Sequence, residues 1–202
     1  EEERNKYVDD LGNYLTTIFK KDGIALIVEP RKLEKLDKII THVYNKLNNN
    51  SKYNWKILFY CGKGLKTYYL SLFHDIEINI IEIDANNFTL MEYNDFLKSL
   101  SLWNNINSEY TLVFQADCYI FNNPPYTIDY FIDKNYTYIG GNMSYEWKEL
   151  KNHNFNPQYR NFNGGLSLRK TKDMIRVIQS FQPQPSIEKI DKFETYGEDV
   201  YF

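Results

Sequence analysis

Only two cysteines, Cys61 and Cys118, occur in 202 residues. That is too few for a disulfide scaffold or a thiolate zinc site, so both are expected as buried free thiols. The three histidines, His42, His74 and His153, have no spacing that would make a metal cluster. Charge of one sign is also missing: 24 basic and 27 acidic residues leave a formal net charge of −3, which argues against an extended field for nucleic acid or an anionic membrane. No apolar run approaches the roughly 20 residues of a spanning helix, and the opening EEERNKYVDD has no signal-peptide pattern. A soluble chain, with a cytoplasmic location favoured, is the expectation. The sequence starts without Met and stops at EDVYF, as a piece of a longer polypeptide with targeting information elsewhere would.

What is present is alternation. The run IALIV (24–28) is followed by a charged turn and by Leu33, Leu36, Ile39, Ile40, Val43 and Leu47 at helical spacing. WKILFY reads as a second buried strand, CGKGLK as a turn, IEINIIEI as a third strand, and MEYNDFLKSLSLW as a helix leading into a fourth strand, YTLVF. Strand and helix in alternation predict a parallel sheet. The pattern then changes: NNPPYTIDYFID breaks at two prolines, YTYIGG is a short strand, and SYEWKELKNHNFNPQYRNF reads as a long irregular loop. NGGLSLRK is a glycine-led strand, and Thr171 is placed to cap a helix carrying Asp173 in its first turn and Met174, Ile175, Val177, Ile178 and Phe181 on its apolar side. No internal repeat or low-complexity linker divides the chain, so residues 1–202 are expected as one α/β domain.

The fourth strand interrupts its own apolar run with Gln115 and Asp117. Ligands of open α/β sheets collect beyond the carboxyl ends of the strands, which marks these two residues as site candidates; ordinary turn chemistry would produce the same pair.

Three separated pieces, VFQAD, NGGLSLRK and YGEDVYF, together resemble a family of GT-A type glycosyltransferases that combines a Gln-x-Asp element with Asn-Gly-Gly-x-Ser-Leu-Arg and a late Glu-Asp pair. The stretches IALIVEPRKLEKLDKII and YNWKILFYCGKG are similar to the start of that family, so the resemblance runs from about residue 24 to the end. It implies a GT-A-like, Rossmann-like mixed sheet, mainly parallel and flanked by helices. It also implies transfer of a sugar from a nucleotide-diphosphate sugar, UDP-sugar favoured, to an acceptor hydroxyl of a glycan, protein or small molecule.

Under that resemblance the departing diphosphate needs its charge stabilised, and a hard divalent cation on oxygen ligands does so as a Lewis acid. Asp117 is the expected ligand for Mn²⁺ or Mg²⁺. The usual GT-A signature has Asp at both ends of the triplet; here the first is Gln115, which would hold ribose or orient Asp117 through its amide. Asn163, Gly164 and Gly165 are expected at the donor, where a glycine pair lets backbone approach closely; a tight turn explains the same glycines. Arg169 pairs either with phosphate or with the neighbouring acidic residues. Glu198 and Asp199 fall on the acceptor side, one of them, Asp199 favoured, as base; complementing a helix dipole is the other account of that pair. Val28, Glu29 and Arg31 are expected along the base and ribose. Lys63 stands between two glycines within reach of a phosphate, without a Walker motif, and Tyr145, Trp147 and Tyr159 are candidates for stacking on acceptor sugars.

Two rival activities fit the same residues: a catalytically inactive sugar- or nucleotide-binding module, suggested by Gln115, and a metal-dependent phosphohydrolase.

Overall fold

Each apolar run becomes a strand, and alternate residues of that strand feed opposite cores. The computed structural model describes residues 21–49, 51–142 and 162–181. In chain order the elements are β1 (Asp22–Glu29), α1 (Leu36–Asn49), β2 (Asn54–Cys61), α2 (Lys66–Leu70), β3 (Ile78–Glu82), α3 (Leu90–Leu97), α4 (Leu100–Asn104), β4 (Tyr110–Phe114), α5 (Ile128–Asp133), β5 (Tyr138–Asn142), β6 (Phe162–Lys170) and α6 (Thr171–Phe181).

Among the described residues the strands form one six-stranded sheet in the order β3-β2-β1-β4-β6-β5. β1 to β4 run parallel, β6 is antiparallel to β4, and β5 is antiparallel to β6. This is the mixed, mainly parallel α/β architecture expected from the strand–helix alternation. On β1, Ala25 and Ile27 face a core shared with Leu36, Ile40, Val43 and Leu47 of α1, Tyr69 of α2 and Ile132 of α5. Leu26 and Val28 face the opposite core, with Leu97, Leu102, Trp103, Met174 and Ile178 of α3, α4 and α6. All five residues of β4 are buried, as a strand covered on both faces requires.

Several local expectations change. The stretch 91–103 is two helices, because Ser99 leaves helical geometry to accept from the Leu102 amide (3.4 Å) and cap α4. The turn lets Trp103 bury itself and donate to the Leu97 carbonyl at 2.6 Å. Short helix α5 occupies a stretch read as a break, and short helix α2 follows the CGKGLK turn. The start of α5 is anchored by Asp129, which accepts from the Ser51 hydroxyl (2.6 Å) and the Lys52 amide (2.7 Å). The Thr171 hydroxyl shares a buried hydrogen bond with the Thr111 hydroxyl (2.9 Å) and thereby ties α6 to β4. Phe181 is 74% exposed and lies off the buried side of α6. Cys61 is buried and Cys118 half-buried, both free. Most of the irregular stretch (144–161) and the expected helix entry at YGEDVYF lie outside the described residues.

Candidate functional site

The chain steps outward from β1 to β2 to β3, then returns to β4 on the other side of β1. The crevice beyond the carboxyl ends of β1 and β4 is therefore the topological switch point, where connections leave in opposite directions and open a gap for a ligand. Val28, Glu29 and Arg31 lie at the end of β1, and Gln115 and Asp117 just past the end of β4. Because β6 is antiparallel to β4, with Phe114 opposite Leu166, its beginning joins them and sets Asn163, Gly164 and Gly165 beside Gln115. Residues far apart in sequence thus meet at one edge of the sheet.

The β4 and β6 sides are joined by specific bonds. Gln115 to Cys118 form a turn closed by the Cys118 amide on the Gln115 carbonyl (3.0 Å). The Cys118 thiol accepts from the Gln115 amide at 3.3 Å and donates to the Gly165 carbonyl at 3.1 Å, bridging the two segments. Burial pushes this thiol above its ordinary value, the Gln115 amide acting in the other direction and the Asp117 charge adding to the rise. Gln115 Nε2 donates to the Tyr93 hydroxyl of α3 (3.3 Å). A Cβ on Gly165 would lie 2.8 Å from Gln115 Oε1 and 2.9 Å from Asn163 Oδ1, so the site closes only over a glycine. The Gly165 amide donates to Asn163 Oδ1 at 2.8 Å.

Arg169 braces the turn from below. It is fully buried (0% exposed), its Nε donates to the Ser167 hydroxyl (2.9 Å), and its Nη2 reaches the Gly164 carbonyl (3.4 Å), which also accepts from Ser167 Oγ (3.0 Å). Its guanidinium lies over the Tyr138 ring at 4.9 Å. Asp117 differs from its neighbours: it is exposed, and among the described residues no hydrogen bond or ion pair engages its carboxylate.

On the β1 side, buried Glu29 holds half-exposed Arg31 in a two-pronged pair, Nε to Oε1 and Nη2 to Oε2 both at 2.8 Å. That hydrogen bond, then the carboxylate charge, raises the Arg31 guanidinium above its ordinary value. Tyr69 of α2 pins the backbone after β1, accepting from the Leu33 amide and donating to the Arg31 carbonyl. Gly62, at the end of β2, is required by close approach: a Cβ there would sit 2.0 Å from the Pro30 carbonyl oxygen and 2.7 Å from that of Ala85. Lys63 pairs with Asp84 at 2.7 Å, both largely exposed.

Among the described residues no group of three or more His, Cys, Asp or Glu side chains gathers in metal-binding fashion. Among the described residues Asp117 is the exposed carboxylate that follows β4, with no hydrogen bond or ion pair of its own. His42 and His74 stand away from the strand ends: His42 Nε2 donates to the Ile120 carbonyl (2.8 Å) on α1, and His74 follows α2, exposed. Glu198, Asp199, Tyr145, Trp147, His153 and Tyr159 lie outside the described residues. A groove of about 520 Å³ lies at the opposite ends of β1 to β3, lined by Asp22, Lys56, Glu77, Asn79 and Ile106; its Lys56 is already paired with Asp22 and Glu77, and strand starts are not where α/β sheets gather ligands. Sequence reasoning missed Tyr93 and Cys118. Tyr93 gives no signal, being one aromatic on a helix; Cys118 gives a weak one, its place next to Asp117.

Residues 77–202 match the family described as "Protein of unknown function (DUF5672)". No curated protein sequence matches. Among solved structures, the fold is similar to that of galactosyltransferase LgtC in complex with donor and acceptor sugar analogs, with a TM-score of 0.57 and 10% identity over 89% of this chain and 68% of that one. A 4-diphosphocytidyl-2C-methyl-D-erythritol synthase from Anaerococcus prevotii DSM 20548 is also similar, with a TM-score of 0.45 and 11% identity over 88% of this chain and 81% of that one. The sheet is that of the GT-A glycosyltransferase fold.

Proposed function

The chain belongs to the DUF5672 family, and from the residues gathered at its strand ends we propose that it is a glycosyltransferase, moving a sugar from a nucleotide-diphosphate sugar, UDP-sugar favoured, to an acceptor hydroxyl. The observation that carries this reading is the switch point itself: an exposed, unengaged Asp117 beside the Asn163–Gly165 turn, with Glu29 and Arg31 across the same crevice. The GT-A fold supports a nucleotide-using transferase at the level of fold. Residues 1–202 are proposed to act as one domain.

In this reading, Val28, Glu29 and Arg31 bind along the base and ribose, with Glu29 fixing the guanidinium so that no rotamer freedom is lost on binding. Asn163, Gly164 and Gly165 hold the donor sugar and phosphates, on a turn whose close packing against Gln115 the glycine at 165 permits. Arg169 holds that turn through the Gly164 carbonyl and contributes positive potential from beneath it. Gln115 keeps Asp117 oriented, because its side-chain amide is held by the Tyr93 hydroxyl and its backbone amide by the Cys118 thiol.

The Asp117 carboxylate fits a hard cation, with diphosphate oxygens and water as its other ligands. Mn²⁺ or Mg²⁺ bound there would offset the charge that builds on the departing diphosphate. Asp199 or Glu198 would take the proton from the acceptor hydroxyl.

Thermal shifts with nucleoside diphosphates and nucleotide sugars, with and without Mn²⁺, test the donor site. A ligand of the folded state at a hundredfold excess over Kd adds about 2.7 kcal/mol of stability. A Mn²⁺-dependent shift with one nucleotide, lost in Asp117→Ala, is expected; no shift with any nucleotide overturns the reading. Gln115 in place of a carboxylate favours a second reading, a module that binds donor without turnover, recognised by affinity without consumption. Consumption at equal rates with and without acceptor would mark a hydrolase.

A further inference from the structure

Directly after Asp117 the chain runs over α1 in an extended segment whose side chains alternate. Ile120 turns inward against the core, and its carbonyl is held by His42 Nε2 at 2.8 Å. Tyr119 and Phe121 turn outward, 58% and 71% exposed. Singly exposed apolar side chains are ordinary, but contiguous apolar patches mark contact surfaces, and these two rings touch each other.

The arrangement of the two rings is specific. Tyr119 lies flat on the His42 imidazole, centroids 4.4 Å apart and planes inclined by 13°, so one face of its phenol ring is backed, and the ring is still 58% exposed among the described residues. Phe121 stands almost perpendicular to it, 5.7 Å away at 82°. Together they form a floor and a wall, and two exposed amides, Asn122 and Asn123, follow at the rim. Neither ring has to be ordered on binding, since His42 fixes the segment from behind, which removes an entropic cost.

We propose that Tyr119 and Phe121 form a carbohydrate-binding platform that seats a pyranose ring of the acceptor. A pyranose presents a face of C–H groups and a rim of hydroxyls. The C–H face matches the electron-rich face of Tyr119, which offers rigid apolar area at little conformational cost. The hydroxyl rim suits the Asn122 and Asn123 amides, which donate and accept. The occupant is placed by connectivity: two residues of extended chain span at most about 7 Å, so the platform begins within one sugar's reach of the Asp117 turn. A docking protein would leave the amide rim and the backed, exposed ring unexplained. This inference rests on the glycosyltransferase reading for the word acceptor, though not for sugar binding itself.

Saturation-transfer NMR on the whole chain, without nucleotide, tests it with methyl glucoside, methyl galactoside, methyl mannoside, lactose and maltose as probes. Transfer to the C–H face protons of at least one probe is expected. It should weaken about tenfold in Tyr119→Leu and Phe121→Ala, the loss typical of truncating an aromatic anchor. Tyr119→Phe, which keeps the ring, and Tyr136→Ala, exposed elsewhere on the surface, should retain it. All three positions are exposed, and unchanged melting temperatures confirm that the four variants fold. No transfer to any probe, or transfer untouched in Tyr119→Leu and Phe121→Ala, overturns the platform. A change of sedimentation in those variants with sugar binding intact does the same and makes the patch a self-association face. UDP binding measured in parallel separates the two ideas: UDP bound without sugar removes the platform alone, whereas sugar bound with no nucleotide leaves the platform and removes the transferase.

Discussion

Gln115 Oε1 occupies the space that a side chain at position 165 would need: a Cβ built on Gly165 lies 2.8 Å from it. Gln115 directly follows β4 and Gly165 lies in the first half of β6, so the glycine is what lets two antiparallel neighbours pack closely around a polar side chain. Gly165→Ala should push the Gln115 amide away from Tyr93. The obstructing atoms are side-chain oxygens at flexible ends, so the fold yields at small cost, about 1 kcal/mol or less. Nucleotide affinity should drop with the melting temperature almost unchanged, and a variant that binds as wild type would remove Gln115 from the site.

Gly62 makes the contrasting case. Its obstructing atoms are the backbone oxygens of Pro30 and Ala85, at 2.0 and 2.7 Å, and neither can rotate away. Gly62→Ala should cost about 3 kcal/mol by separating the ends of β1, β2 and β3. Urea denaturation reads this as a lower midpoint; an unchanged midpoint would mean that the strand ends are not in contact.

Asp117→Asn should leave stability within about 0.5 kcal/mol of wild type, since no partner among the described residues is lost. The same change removes the only carboxylate that the described edge of β4 offers a cation. Stability intact together with loss of the Mn²⁺-linked nucleotide shift is the expected pair of results; loss of stability would show that Asp117 has a structural partner.

Arg169→Met should cost about 1.5–3 kcal/mol, the range for hydrogen bonds made by a charged group, because Ser167 and the Gly164 carbonyl lose their common donor. Arg169→Lys should recover little of it, a single ammonium being unable to reproduce the planar fork. Full recovery in the lysine variant, seen by thermal melting, would reduce the role of Arg169 to charge.

Burial raises Cys61 and Cys118 above the ordinary thiol value of 9.0, and Tyr60 and Tyr69 above the ordinary phenol value of 10.0. In the unfolded chain these groups ionise first, so the folded state holds more protons at alkaline pH. Their contribution is complete below the unfolded values and is lost as pH rises through the folded ones. Melting temperature should hold level between about pH 7 and 8.5 and fall beyond about pH 9; a flat profile to about pH 10.5 contradicts the burial of these four side chains.

The sheet was legible because β1, β2 and β4 each carry a run of consecutive apolar residues, IALIV, ILFYC and LVF, as strands buried on both faces do. Ala25 and Ile27 against Leu26 and Val28 show why: both parities are apolar, and both are buried. Helix α5 was not legible, since it is a turn and a half held by tertiary bonds, such as Asp129 to Ser51, that no local pattern announces. At the site, Gln115, Asp117 and the Asn163–Gly165 turn stood out as polar or glycine residues breaking apolar strands. What joins them did not, because the Tyr93 hydroxyl and the Cys118 thiol act across sequence separations of 22 and 47 residues, where pairing depends on the strand order.

The position of β4 has a consequence for the timing of local opening. Flanked by β1 and β6, covered on both faces and tied to α6 through Thr111 and Thr171, its backbone amides reach deuterated solvent only when the whole sheet comes apart. Asp117, a few bonds further on and exposed, exchanges from the native state. A border between slowly and rapidly exchanging amides is therefore expected between Phe114 and Asp117, and a ligand in the crevice should show as slowing on one side of that border alone.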